Sequence, residues 1–239
     1  MRILLTVISL CMAFVAFSQK NVTTFGIQFK PIVPSKYFDT GEEFIQDGDV
    51  DFTFTPRLGV NFGMLIRQGF TKNLSLETGI SMVRRNYTVS SFDNRNQNSL
   101  DLRYAFVGYE IPVQGLFYVQ LGSQMWMNAA GGVSFDFYPS NIFSNSFASE
   151  DTLDFELEQT TFRYSWVQMS VSTNLGFEYR TKKDGYFYLG ASFHQPLTDI
   201  ALSRVTYTLN RVPQSVEHKL SGVYLTLDFR YFFHEKPVK

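Results

Sequence analysis

The sequence predicts an all-β protein: an eight-stranded antiparallel transmembrane β-barrel in up-and-down meander order, with short periplasmic turns and long extracellular hairpin loops. Three observations carry that expectation. Apolar residues recur at every second position through eight separate segments. The composition joins 17% aromatic residues to a mean hydropathy of −0.09, too polar for a helical membrane protein and very aromatic for a soluble one. The connections between segments alternate short and long. A barrel reconciles the three, because alternate side chains meet lipid and a polar lumen while tight turns gather at one end and long loops at the other.

Taken in order, Met1-Arg2 supplies one positive charge and Ile3 to Phe17 form an apolar stretch. Ala16 and Ser18 then set small residues around a cut before Gln19. This predicts a cleaved secretory signal peptide over 1–18 and a barrel domain over 19–239. The apolar run is shorter than the ~20 residues of a spanning helix. Cys11 lies within it and follows Leu10 rather than the small residue of a lipobox, so a processed chain would carry no thiol. The remaining length, about 220 residues, suits one domain.

The first strand alternates Phe25, Ile27 and Phe29 with Gly26, Gln28 and Lys30. The second alternates Leu58, Val60, Phe62, Met64 and Ile66 with Arg57, Gly59, Asn61, Gly63 and Arg67, and Leu65 is the one apolar intruder on the polar phase. The third carries Leu74, Leu76, Ile80 and Met82 against Ser75, Glu77, Gly79 and Ser81. Tyr109, Ile111, Val113, Phe117 and Val119 mark the fourth, and Met125, Met127, Ala129, Val133, Phe135 and Phe137 the fifth. Val167, Met169, Val171, Leu175, Phe177 and Tyr179 mark the sixth, and Phe187, Leu189, Ala191 and Phe193 the seventh. The eighth runs from Val223 to Phe233. Each can supply the ~9–11 residues of a tilted spanning strand. Short connections fall at Gln68–Asn73, Gln120–Gln124 and Thr181–Gly185. Long polar ones fall at Pro34–Asp51, Ser90–Asp101, Pro139–Thr161 and Gln195–Leu220. Alternation continues at 153–157 and 205–209, which predicts hairpins projecting above the membrane with exposed strand edges.

Tyr109-Glu110-Ile111-Pro112-Val113 is similar to a strand motif of the Bacteroidota-type outer-membrane β-barrel domain family, which includes PorT-like proteins. Ala129-Ala130-Gly131-Gly132-Val133 and the aromatic-rich Leu225–Phe233 extend the resemblance over nearly all of 19–239. One departure is that six residues follow Phe233, so the aromatic is not terminal. The resemblance implies a barrel in a bacterial outer membrane and leaves the function open, because such barrels serve many roles.

Inward-phase charges gather toward the short-turn end: Arg67, Glu77, Glu178, Arg180, Asp228 and Arg230. Three are basic and three acidic, which predicts a neutralising lumen network, since an unpaired charge in a low-dielectric interior is costly. His194, with Ser192 on the same face and Asp199 beyond Pro196, offers the parts of a rim triad for a hydrolase or acyltransferase. Asp47, Asp49 and Asp51 are a candidate hard-cation cluster, although Phe52 and Leu58 stand where a calcium-binding EF-hand loop needs Gly and Glu. Arg84 and Arg85 are placed to meet lipopolysaccharide phosphates at the outer rim. Net charge −1 gives no field that draws nucleic acid. No nucleotide, haem or zinc motif appears, so no cofactor is expected. The expected role is a non-enzymatic scaffold or accessory subunit of an outer-membrane complex. Its expected partners are outer-membrane lipid, lipopolysaccharide and another envelope protein. The rim enzyme and a narrow pore are the alternatives.

Overall fold

A residue pattern of period two leaves one face of each strand apolar, and closing the sheet buries the other without leaving an unpaired edge. In the computed structural model, which describes residues 22–35, 41–95, 97–147, 156–181, 184–209 and 212–233, this produces thirteen strands. They are β1 (Val22–Val33), β2 (Glu43–Asp47), β3 (Val50–Gly69), β4 (Leu74–Asp93), β5 (Asn98–Gln120), β6 (Met125–Phe137), β7 (Ile142–Phe147), β8 (Glu156–Arg163), β9 (Val167–Arg180), β10 (Tyr186–Pro196), β11 (Ala201–Leu209), β12 (Val212–Leu220) and β13 (Tyr224–Phe232). The signal-peptide segment and the acidic stretch at 150–155 lie outside the described residues.

Eight strands form a ring in the order β1-β13-β10-β9-β6-β5-β4-β3, closed where β1 pairs antiparallel with β3 from Val22↔Gly69 to Ile32↔Gly59. The lipid-phase residues face out: Phe62, Met64, Ile66, Leu175, Phe177, Leu189 and Phe229 are exposed. Asn61, Leu65, Arg67, Asn174 and Asp228 face in and are buried. Leu65, the apolar intruder of the sequence, packs inside against Tyr188 and Phe232. A continuous exposed apolar band of this size has no stable place in water and fits a bilayer. Tyr188 illustrates how inward aromatics are accommodated. Its hydroxyl lies over Gly176 on β9 and Gly190 on its own strand β10, and a Cβ at either position would collide with it.

At the long-loop end the structure departs from the expected free hairpins. Ser90–Asp101, expected as a long loop, is mostly strand, because β4 and β5 stay paired up to Asp93↔Asn98. Pro34–Asp51 contains β2, which adds to the top of β3. The two longest connections do not project separately. Their hairpins join through β8 and β11 into one four-stranded sheet, β12-β11-β8-β7. That sheet packs on the tops of β3, β4 and β5. The largest apolar core of the protein lies between them, with Phe52, Phe54, Leu102, Phe106, Leu157, Val205, Tyr207 and Leu220 all buried. The result is a two-sheet cap on a barrel. Three turns form the opposite end, each set by backbone bonds such as Phe70 N–H to Leu74 O and Thr181 N–H to Gly185 O.

Candidate functional site

Polar side chains on the inward phase cannot reach water once the ring closes, so they must satisfy one another. Nearest the short turns, Arg67 donates from Nε and Nη2 to Glu77 Oε2 (3.0 and 2.8 Å) and from Nη1 to Glu178 Oε2 (2.5 Å). Arg230 donates to Glu77 Oε1 (2.5 Å) and Asp228 Oδ2 (2.6 Å), and Arg180 Nε to Glu178 Oε1 (2.6 Å). All six residues singled out from the sequence therefore meet in one network. Lys30 Nζ, 3.3 Å from Asp228, joins it. Aromatic rings hold the guanidinium groups from the side: Arg67 lies 3.7 Å over Phe232, and Arg180 4.5 Å over Trp126.

One layer up, Asn174 Nδ2 donates to Asp228 (3.0 Å) and Ser192 (2.9 Å), and Tyr188 O–H donates to Asn174 Oδ1 (2.6 Å). Higher still, Glu110 accepts from Tyr224 O–H (2.7 Å), Asn61 Nδ2 (3.2 Å) and Arg85 Nη2 (3.3 Å). Beside it His194 Nε2 lies 3.0 Å from Asp136 Oδ2 and 3.6 Å from Glu110 Oε1. Asp136 also accepts from Ser134 (2.7 Å) and from Ser170. A cavity of about 20 Å³ remains between these layers, room for about one water molecule.

Several residues singled out as site candidates stand apart from the partners expected of them. Ser192 donates to Asp228 Oδ2 (2.5 Å), whereas His194 is engaged by Asp136 and Glu110, and Asp199 lies past the end of β10. The three do not form a triad: Ser192 and His194 share the inward face of β10 but sit two residues apart along it, so each meets a different carboxylate. Asp47, Asp49 and Asp51 take separate partners: Tyr207 O–H (3.0 Å), Arg95 and Asn94 Nδ2 (2.9 Å). Arg84 is exposed and donates to Asn86, but Arg85, one residue on, points inward and is buried on the cap side of Glu110. It is withdrawn from the lipopolysaccharide contact expected of the pair. Lys30, Glu110 and Asp136 were not singled out. Their phase along the strand was visible in the sequence, but their common depth was not.

Among the described residues, Glu110, Asp136 and His194 are the group whose geometry could hold a metal ion, with ligand atoms within 4.8 Å of one another. Their oxygens are already committed to Tyr224, Asn61, Ser134 and Ser170, and Arg85 supplies positive charge at the same point. The cluster reads as an internally satisfied hydrogen-bond node rather than as an open donor set.

Where barrel meets cap, a cleft of about 440 Å³ opens between the end of β1, the start of β2, the middle of β3 and β4, and the β12–β13 connection. His218 on β12 stacks 4.4 Å from Phe54, and its Nδ1 lies 2.8 Å from Glu43 Oε2. Burial lowers the His218 pKa, and the carboxylates of Glu43 and Asp199 oppose that shift.

A family model described as outer membrane protein beta-barrel domain matches residues 18–202. The fold is similar to the outer membrane protein OprG from Pseudomonas aeruginosa, at TM-score 0.47 and 13% identity over 91% of this chain and 99% of that one. It is also similar to E. coli outer membrane protein W, at TM-score 0.38 and 12% identity over 91% and 100%. The outer membrane protein AlkL gives TM-score 0.37 and 11% identity over 93% and 95%. No curated protein matches the sequence.

Proposed function

The chain belongs to the outer membrane protein β-barrel domain family, and on that premise we propose that it is a non-enzymatic, lumen-closed scaffold that docks another envelope protein through its cap. The observation that carries this reading is the division of labour between the two halves. The barrel lumen is crossed by linked ion pairs, and the cavity between its layers measures about 20 Å³, which supports a closed lumen. The cap has its own apolar core, which joins β8, β11 and β12 to the tops of β3, β4 and β5. In this reading the short turns are periplasmic, the cap is extracellular, the signal peptide over 1–18 is removed on export, and the protein is of the PorT-like Bacteroidota type.

The docking edge is β12. It ends the cap sheet, and Val212 on it is exposed. A free edge presents unpaired backbone groups to a partner strand. Lysine placed at Val212 and Ser215 should block such pairing without disturbing the buried Val216. The test is to purify the full chain from outer membranes and identify what comes with it. One envelope protein should be lost from the double-lysine variant, while that variant still shows the heat-dependent gel shift of a closed barrel. An unchanged set of co-purifying proteins would overturn β12 as the docking edge.

A further inference from the structure

The cleft at the barrel–cap junction has an unusual floor. Arg85 is only 4% exposed, yet of its three guanidinium nitrogens only Nη2 has a hydrogen-bond partner, Glu110 at 3.3 Å. Nε and Nη1 have none. Arg67, at the other end of the same lumen, uses all three. Glu110 cannot serve the two idle nitrogens, because its oxygens already hold Tyr224 and Asn61 as well. A guanidinium cannot shed its charge, and a buried N–H without an acceptor is costly, the more so in a charged group. Arg85 lines the cleft, and since both idle nitrogens are themselves covered, an acceptor entering from that side must displace what covers them.

The rest of the cleft says what carries the acceptor. Arg57 and Lys219 add positive charge to the cleft and Glu42 and Glu43 negative charge, with Glu43 2.8 Å from His218 Nδ1, so the buried Arg85 is the lining charge with idle donors. Ile32, Val33, Pro56 and Val223 give it apolar walls. Its volume, about 440 Å³, far exceeds an inorganic anion and falls in the range of small-molecule sites. A neutral hydrocarbon would fit the walls but leave Nε and Nη1 of Arg85 without an acceptor.

We propose that this cleft binds a single-chain amphiphile with an oxyanion head, whose carboxylate or phosphate accepts hydrogen bonds from the idle nitrogens of Arg85 and whose hydrocarbon chain lies against Ile32, Val33, Pro56 and Val223. The proposal is independent of whether a protein docks on β12. A membrane lysophospholipid and a free fatty acid share the required chemistry, and the probes separate them.

The experiment uses the full chain in phosphatidylcholine nanodiscs, with empty nanodiscs as background. Binding of labelled dodecanoate and of lysophosphatidic acid is measured by equilibrium dialysis. Dodecanol and inorganic phosphate are offered as competitors. The expected result is saturable binding of at least one acid, with neither competitor effective. Arg85→Met should weaken it about tenfold or more, the scale of one charge-assisted hydrogen bond. Arg84→Met, on the neighbouring exposed residue, should leave it unchanged. Val33→Trp fills the rim of the cleft without touching Arg85 and should also cut binding, which keeps the test decisive if Arg85→Met fails to fold. Stronger dodecanoate binding identifies the free-acid source, and stronger lysophosphatidic acid binding the lipid source. The proposal fails if neither acid saturates, if dodecanol or inorganic phosphate competes as well as the acids, or if Arg85→Met in its folded form and Val33→Trp both bind like the parent chain.

Discussion

At the scale of single residues, the lumen shows why charge pairs in such a barrel must be judged by what their loss leaves behind. Glu77 is shared by Arg67 and Arg230, and Asp228 by Arg230 and Lys30. Replacing Arg230 alone should therefore cost about 3–5 kcal/mol, because two carboxylates lose a partner in a buried site. Arg230→Met combined with Glu77→Gln should cost less than the sum of the two, as measured by unfolding in urea through a double-mutant cycle. Additive losses would show that the two groups act separately. His218 supports a second expectation. Its pKa is lowered chiefly by burial, and Glu43 opposes the shift. A histidine depressed in the folded state holds its stabilising contribution above the unfolded pKa of ~6.5 and loses it as pH falls through the lower folded value. The cap should consequently loosen below that range. Glu43→Gln should push the His218 pKa lower still, as an imidazole NMR titration would read, and an upward shift would contradict the assignment.

At the scale of elements, phase along a strand decides cost. An arginine at Phe62 on β3 or Val171 on β9 would stand on the exposed apolar band and should destabilise the barrel by ~2–4 kcal/mol at mid-bilayer depth. Ser81→Ala, on the inward phase of β4, should cost far less, and equal losses in a folding titration would refute the facing of these strands. Asn174, although also inward, is no neutral control, because it ties Ser192, Tyr188 and Asp228 together. Prolines have positional meaning as well. Lacking an N–H, Pro112 coincides with a break in the β4–β5 ladder between Thr78↔Val113 and Ser81↔Glu110, and Pro31 with one in the β1–β13 ladder. The cap hairpins are interdependent in a way that surface loops are not. β8 is paired on both sides, by β7 and β11. Replacing β7 and β8 by a tight turn would uncover the β11 edge and remove Leu157 from the core. Limited proteolysis should then cut within 201–220 while the barrel keeps its heat-dependent gel shift. Resistance equal to the parent chain would mean that β11 and β12 are stable alone.

At the scale of the whole molecule, a closed lumen under a packed cap predicts no steady single-channel conductance in planar bilayers, and regular unitary steps would refute it. The sequence by itself determined the ring and its facing. Side-chain direction alternates with a fixed period of two, so Phe62 and Asn61, or Leu175 and Asn174, were assigned to opposite faces without knowledge of their neighbours. It also marked the charged residues that turn inward near the short turns, because that phase and the nearby turns are both local signals. Only the tertiary structure decided which groups share a depth. Glu110, Asp136 and His194 lie on three strands, and their meeting depends on the register of β5, β6, β9 and β10. Alternation set Arg84 and Arg85 on opposite faces, but only the tertiary structure decided that Arg85 is buried beside Glu110 under the cap. It also decided the cap. Pairing of β8 with β11 joins residues some forty positions apart across a complete pair of barrel strands, and such loop closure depends on the ring already being formed.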